Sequence, residues 1–303
     1  MRLKNKRPCF MVFVVMICVI LWHVDVLAGQ YKKTIAVSRF ENRTNASGQA
    51  NLGSGMADQL ADSLIQSGKF VVLERQTLED IIGEQDLAAS GRAAVSKTAR
   101  TGKLVPAQIL IKGTVTEFDS KSGSSGAGVG FGGFNIGSKK TTAHVAVILR
   151  LIDTTTGVVL DSKRVEGKSE GSGLKLGVGV GGFDFGTEGF KRTPLGKAMQ
   201  ITIDKAVVEV TKKLDQLPYT GKIIKVTEDV IYTNIGERNG VSVGDLFNVY
   251  SRGEELIDPD TGENLGSEKT KVGSIKINSV KEKFSKAIPE TGEIFKKGLI
   301  LTE

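Results

Sequence analysis

The sequence predicts an α/β domain with a mixed sheet, flanking helices and two projecting β-hairpins, followed by a small SH3-like β-barrel. Three features predict it. From Lys33 to Leu214, runs of alternating apolar residues are interleaved with segments whose apolar residues recur every three or four positions. Two glycine-rich stretches, Asp119–Ser138 and Gly167–Thr187, interrupt that pattern. Beyond Leu217-Pro218, short alternating runs are separated by turns such as Asn239-Gly240 and Asp258-Pro259-Asp260-Thr261-Gly262. The resulting division is residues 1–28 as a leader, 29–217 as the α/β domain and 218–303 as the barrel. The hairpins fall at about 114–153 and 158–193.

Met1–Ala28 reads as a signal peptide. Arg2, Lys4, Lys6 and Arg7 form its positive start, Phe10–Trp22 its apolar core and Val26-Leu27-Ala28 its small-residue cleavage site. The core is shorter than the roughly 20 residues of a spanning helix. Both cysteines, Cys9 and Cys18, leave with it, so disulfides, thiolate metal ligands and cysteine nucleophiles are not expected. Removal of four basic residues and Asp25 takes the formal charge from +7 to +4, too mild and scattered to predict a nucleic-acid partner. His144 is the histidine left behind. One histidine builds neither a metal cluster nor a triad, and the pairs Glu79/Asp80 and Asp258/Asp260 fall on predicted helix or turn surfaces. No catalytic residue, metal or cofactor is therefore expected, and the protein is not predicted to be an enzyme.

Lys33–Phe40 alternates as a first strand, and the polar stretch Glu41–Ala50 leads to a helix near Gly53–Gln66 carrying Met56, Leu60 and Leu64. Phe70–Glu74 is a second strand. A helix capped by Thr77 follows, with Leu78, Ile81, Ile82 and Leu87 as its apolar set, and Val95–Lys103 is a candidate third helix. Gln108–Phe118 is a strand that runs straight into the first glycine stretch. Thr141–Asp153 and Val158–Val165 form the next two, turning at Thr155–Gly157. Thr193-Pro194 opens a helix to Leu214 with Leu195, Met199, Ile203, Val207 and Val210 on one face.

In the second glycine stretch Leu174, Leu176, Val178 and Val180 alternate with Lys175, Gly177 and Gly179. The parity flips at Gly181-Gly182, after which Phe183 and Phe185 flank Asp184; a Gly-Gly between alternating runs is a hairpin signal. The first stretch repeats this around Gly130–Gly133, with Phe131, Phe134 and Ile136 beside the tip. Apolar residues alternating with small or polar ones are the pattern of a membrane-barrel wall. One subunit would leave unpaired edges, which lipid does not tolerate, so closure requires a ring of identical subunits. Soluble hairpins and Gly/Ser linkers are the alternatives, the latter mainly for Ser120–Gly128. Both stretches also match G-x-G-x-x-G, but neither precedes a helical pattern as a dinucleotide site requires.

Four segments carry a family resemblance: T-I-A-V-S-R-F-E-N-R-T at Thr34–Thr44, F-V-V-L-E-R-Q-T-L-E-D-I-I at Phe70–Ile82, A-Q-I-L-I-K-G-T-V at Ala107–Val115 and V-I-L-R-L-I-D-T-T-T-G-V-V-L at Val147–Leu160. Together they resemble the CsgG-type curli secretion channels over Lys33–Leu214. That resemblance implies periplasmic α/β domains beneath a homo-oligomeric ring, whose hairpins close one barrel in the outer membrane. It implies export of unfolded curli-like subunits by diffusion, with a periplasmic accessory protein as a possible partner. The chain departs from the family in three ways. No cysteine follows the cleavage site, although the curli channel is a lipoprotein. The loop that would form the pore constriction is short, with Asn45, Ser47, Gln49 and Asn51 in place of aromatic residues. Finally, Gly221–Glu303 instead resembles the C-terminal barrel of periplasmic flagellar-assembly proteins, through V-I-Y-T-N-I-G, V-G-D-L-F-N-V-Y and D-P-D-T-G-E-N-L-G. A periplasmic structural protein at the base of a surface organelle, without a pore, is the alternative function.

Overall fold

The computed structural model describes residues 31–44, 51–93, 99–124, 139–172, 188–228, 230–262, 264–292 and 294–303. Its α/β half is a six-stranded mixed sheet. β1 (Thr34–Val37) runs parallel to β3 (Val71–Leu73) and to β4 (Ile109–Ser124), and the two-residue β2 (Glu41–Asn42) also runs parallel to β4. β5 (Lys139–Asp153) and β6 (Val159–Ser172) continue antiparallel, giving the order β3-β1-β4-β5-β6.

Two helices pack on the sheet, α1 (Leu52–Gln66) and α4 (Pro194–Asp215). Leu52, Met56, Leu60 and Leu64 recur at every fourth position of α1 and all have no exposed surface. On α4 the buried set is Leu195, Met199, Ile203, Val210 and Leu214, with Val207 half-buried against the same core. Thr193 fixes its start: Oγ1 accepts from Gly196 N at 3.0 Å, satisfying one amide of the first turn while Pro194 has none to satisfy. Facing these helices, Val145, Val147, Leu149 and Leu151 of β5 are buried, as their period of two requires.

Three expectations are corrected. Helix α2 (Leu78–Ala89) has no fully buried residue, and Ile82 and Leu87 are exposed. Its apolar periodicity was sufficient to make a helix, but no other described element covers that stripe fully. In the expected third helix, residues 99–103 form a turn with Gly102 at φ +71°, and 94–98 lie outside the described residues. Helix α3 (Glu188–Lys191) occupies the end of the expected second hairpin, because burial of Phe190 and the bond from Thr193 Oγ1 to Phe190 O tie this segment to the start of α4.

Residues from Thr220 onward form a closed barrel of β7 (Thr220–Val226), β8 (Ile231–Thr233), β9 (Leu246–Ile257), β10 (Asn264–Val280), β11 (Ser285–Thr291) and β12 (Ile300–Thr302). Its core gathers Tyr219, Ile223, Phe247, Val249, Ile275, Ile277 and Leu301. One wall comes from the far end of the chain. Tyr31 stacks on Tyr219 with centroids 5.1 Å apart and leans on Phe247 at 5.0 Å. Lys32 N donates to Asn239 O at 2.8 Å, and Asn239 Nδ2 donates to Lys32 O at 3.2 Å. Burial, then the Asp245 carboxylate, push the Tyr31 phenol above its ordinary range.

Candidate functional site

The sheet's three antiparallel strands outrun the rest of it. β4 and β5 stay paired to Ser124↔Lys139, and β5 and β6 to Lys140↔Ser172, so that both pairings run into the glycine-rich stretches. A β-bulge between Val115 and Glu117 shifts the register of β4, and Thr116 Oγ1 donates to Ala146 O at 3.3 Å beside it. Helix α4 approaches the meander closely because two β6 positions carry no side chain. A Cβ on Gly167 would stand 2.1 Å from Ala198 O, and one on Gly171 would stand 2.8 Å from Pro194 Cγ. Thr202 Oγ1 completes the seam with bonds to Val145 O at 3.2 Å and Ala198 O at 2.8 Å.

The opposite face of the meander carries a charged clasp. Glu117 on β4, His144 on β5, and Arg164, Glu166 and Lys168 on β6 share the parity that points away from the helix-side core. His144 Nδ1 lies 2.8 Å from Glu117 Oε2, and its Nε2 lies 3.3 Å from Glu166 Oε2. Arg164 bridges the same carboxylates, Nη1 to Glu166 Oε2 at 2.6 Å and Nη2 to Glu117 Oε1. Lys168 Nζ reaches Glu166 Oε1 at 3.4 Å. Each carboxylate oxygen is thus engaged by a strand neighbour. Arg164 first, then His144 and Lys168, hold the Glu166 carboxyl down to about 2. Chemically the arrangement ties β4, β5 and β6 together where they outrun the rest of the sheet.

Among the pore-loop candidates, Asn51 is an exposed residue at the start of α1, its carbonyl accepting from Gly55 N at 2.9 Å; Asn45, Ser47 and Gln49 lie outside the described residues. The lipid-facing candidates Phe131, Phe134, Ile136, Leu174, Leu176, Val178, Val180, Phe183 and Phe185 also lie outside them. The clasp was not anticipated. Its members are dispersed over 52 residues of sequence, Glu117 to Lys168, and only the strand register brings them together. The Asp258/Asp260 pair is a turn, as its Pro and Thr neighbours predict: Asp258 Oδ1 accepts from Asp260 N at 2.8 Å and Thr261 N at 2.9 Å.

A helix-backed mixed sheet that extends an antiparallel meander defines a strand-projecting α/β domain. The family described as the curli production assembly/transport component CsgG matches residues 25–223, and the chain belongs to it. The CsgG proteins of Escherichia coli strain K12 and Citrobacter koseri are each 26% identical over 150 residues, 48% of this chain and 51% of theirs. The chain thus spans about half the length of the curated relatives it matches. Similar solved structures include the hypothetical protein CT253 from Chlamydia trachomatis, at 15% identity, 60% of this chain, 98% of that one and TM-score 0.38. Another is the PelC dodecamer from Paraburkholderia phytofirmans, at 17% identity, 57% and 84% coverage and TM-score 0.29.

Proposed function

We propose that the chain is one subunit of a ring-shaped outer-membrane channel through which unfolded, curli-like protein subunits leave the periplasm by diffusion. No bond chemistry is involved; selectivity comes from pore width and the polarity of its lining. The observation that carries the reading is the meander. Three paired strands continue beyond the residues that need them for the core and deliver the chain to both glycine-rich segments. Among the described residues the outer edge of β6 has no strand beside it in the sheet order, and an edge of that length calls for pairing with a neighbouring copy. Family membership supports the same assignment.

A second reading, a periplasmic assembly protein without a pore, draws on the barrel, most of which lies beyond the family match at residue 223. Planar-bilayer recording separates the two. Val178→Arg would place a charge on the apolar side of the alternating run, at a cost of roughly 2–4 kcal/mol per site if that side faces lipid near the midplane. Gly177→Arg would fall on the other side. The channel reading expects lost insertion for the first and altered conductance for the second. Equal behaviour of the two variants supports the pore-free reading.

A further inference from the structure

We infer that β9 and β10 form an arm by which each copy of this chain grips the barrel of the next. The last β9 residue paired with β12 is Tyr250, and β10 meets β11 only from Ser274. Between these points, among the described residues, the two strands pair with each other alone, through Ser251↔Thr270 and Lys269↔Arg252 out to Asn264↔Ile257. A two-stranded ribbon has little stability of its own in water unless something packs on it. This one nevertheless exposes Leu256, Ile257 and Leu265 around its tip. The charge of its tip is one-sided: residues 253–268 contain six acidic residues and no basic one, with Arg252 and Lys269 behind them on the ribbon.

A surface of the opposite character lies on the barrel wall. Leu246 on β9 stands directly opposite Lys276 on β10, which stands opposite Ile288 on β11. Leu246 is 55% exposed and Ile288 40%, while their inward neighbours Phe247, Ile275, Ile277 and Ala287 are buried. Two residues along β11, Lys286 faces Tyr232 on β8. The Tyr232 ring lies 5.6 Å from the Lys286 Nζ and 5.8 Å from that of Lys225. Aliphatic, aromatic and cationic groups here form the counterpart of an aliphatic, acidic tip.

The occupant is a second copy. Tip and wall belong to opposite ends of the same strands: Gly266 and Lys276 are ten residues apart on β10, roughly 34 Å at about 3.4 Å per residue. The ribbon therefore cannot fold back on its own barrel. Two tips repel by charge, and so do two walls, which leaves tip on wall. Contact between different patches repeats from copy to copy and closes into a ring where the rotation allows. For that closure the inference rests on the ring proposed above.

The test mixes full-length chains carrying Leu256→Cys with chains carrying Ile288→Cys, followed by mild oxidation, non-reducing electrophoresis and peptide mass spectrometry. Leu265→Cys is a second label for the arm. Disulfides joining position 256 or 265 to position 288 of another chain are the expected result. They should disappear when Lys276→Glu and Lys286→Glu are added to the wall, and return when Glu254→Lys and Glu255→Lys are added to the arm. Links between two arms, or none in a parent that forms rings, would overturn the arm while leaving the ring intact. A parent that stays monomeric in detergent and in bilayers would remove both.

Discussion

Glu166 is the residue in the clasp whose chemistry is most displaced. Its carboxylate accepts from Arg164, His144 and Lys168 and is held near 2, against an ordinary value of 4.5. A carboxyl that ionises more readily folded than unfolded contributes its full stabilisation above the unfolded value, and loses it as pH falls towards the folded one. The relevant window is pH 4.5 down to about 2. Denaturation midpoints of the parent should fall across it more steeply than those of Glu166→Gln, which has no proton to take up. Parallel curves would mean that the clasp is not formed in solution. The exposure of these side chains predicts a modest difference that shrinks in high salt.

At the scale of elements, α1 and α2 look alike in sequence and differ in what covers them. Leu60 on α1 has no exposed surface, so Leu60→Ala should cost about 2–5 kcal/mol. Leu87 on α2 is 44% exposed, and Leu87→Ala should stay within about 0.5 kcal/mol. Chemical denaturation of the two variants checks this; a similar loss for both would mean that α2 is covered. The contrast also shows how far the residues alone could be read. Periodicity marks a stripe as apolar, and it placed α1, α4, β4 and β5 well, because their stripes meet one another within this chain. It cannot say whether a stripe finds a partner, which is why Ile82 and Leu87 were expected inside. Nor does it carry register, on which the meeting of Glu117, His144 and Glu166 depends. The β9–β10 arm was legible only as its turn, Asp258–Gly262. That the strands flanking this turn outrun the barrel follows from where β11 and β12 begin to pair, a property of the closed sheet.

The molecule as a whole is tied together at a point no local pattern marks. Tyr31, two residues past the expected leader junction at Gly29, completes the barrel core with Tyr219 and Phe247, although these lie 188 and 216 residues away in sequence. The neighbouring Lys32–Asn239 bonds hold it there, and Gln108 Nε2 adds a long contact to Thr220 O at 3.5 Å. The barrel therefore borrows part of its core from the segment that leads into β1. Replacing a buried aromatic ring by a methyl group costs about 3–5 kcal/mol; for the half-buried Tyr31 ring, Tyr31→Ala should cost less than that. The loss should be local. Amide hydrogen exchange is expected to speed up in β9 and β12, around Phe247, Val249 and Leu301, and to stay unchanged in α1, whose core is separate. Tyr31→Phe keeps the ring and removes only the hydroxyl beside Asp245, so it should retain most of the protection at neutral pH. Because folding raises the Tyr31 pKa, the parent gains stability from the neutral phenol below about pH 10 and loses it as pH climbs beyond; Tyr31→Phe should decline less steeply, keeping the part due to Tyr219, whose phenol burial also raises. Exchange in β9 that is the same in the parent and in Tyr31→Ala would show that the barrel closes without the N-terminal strap.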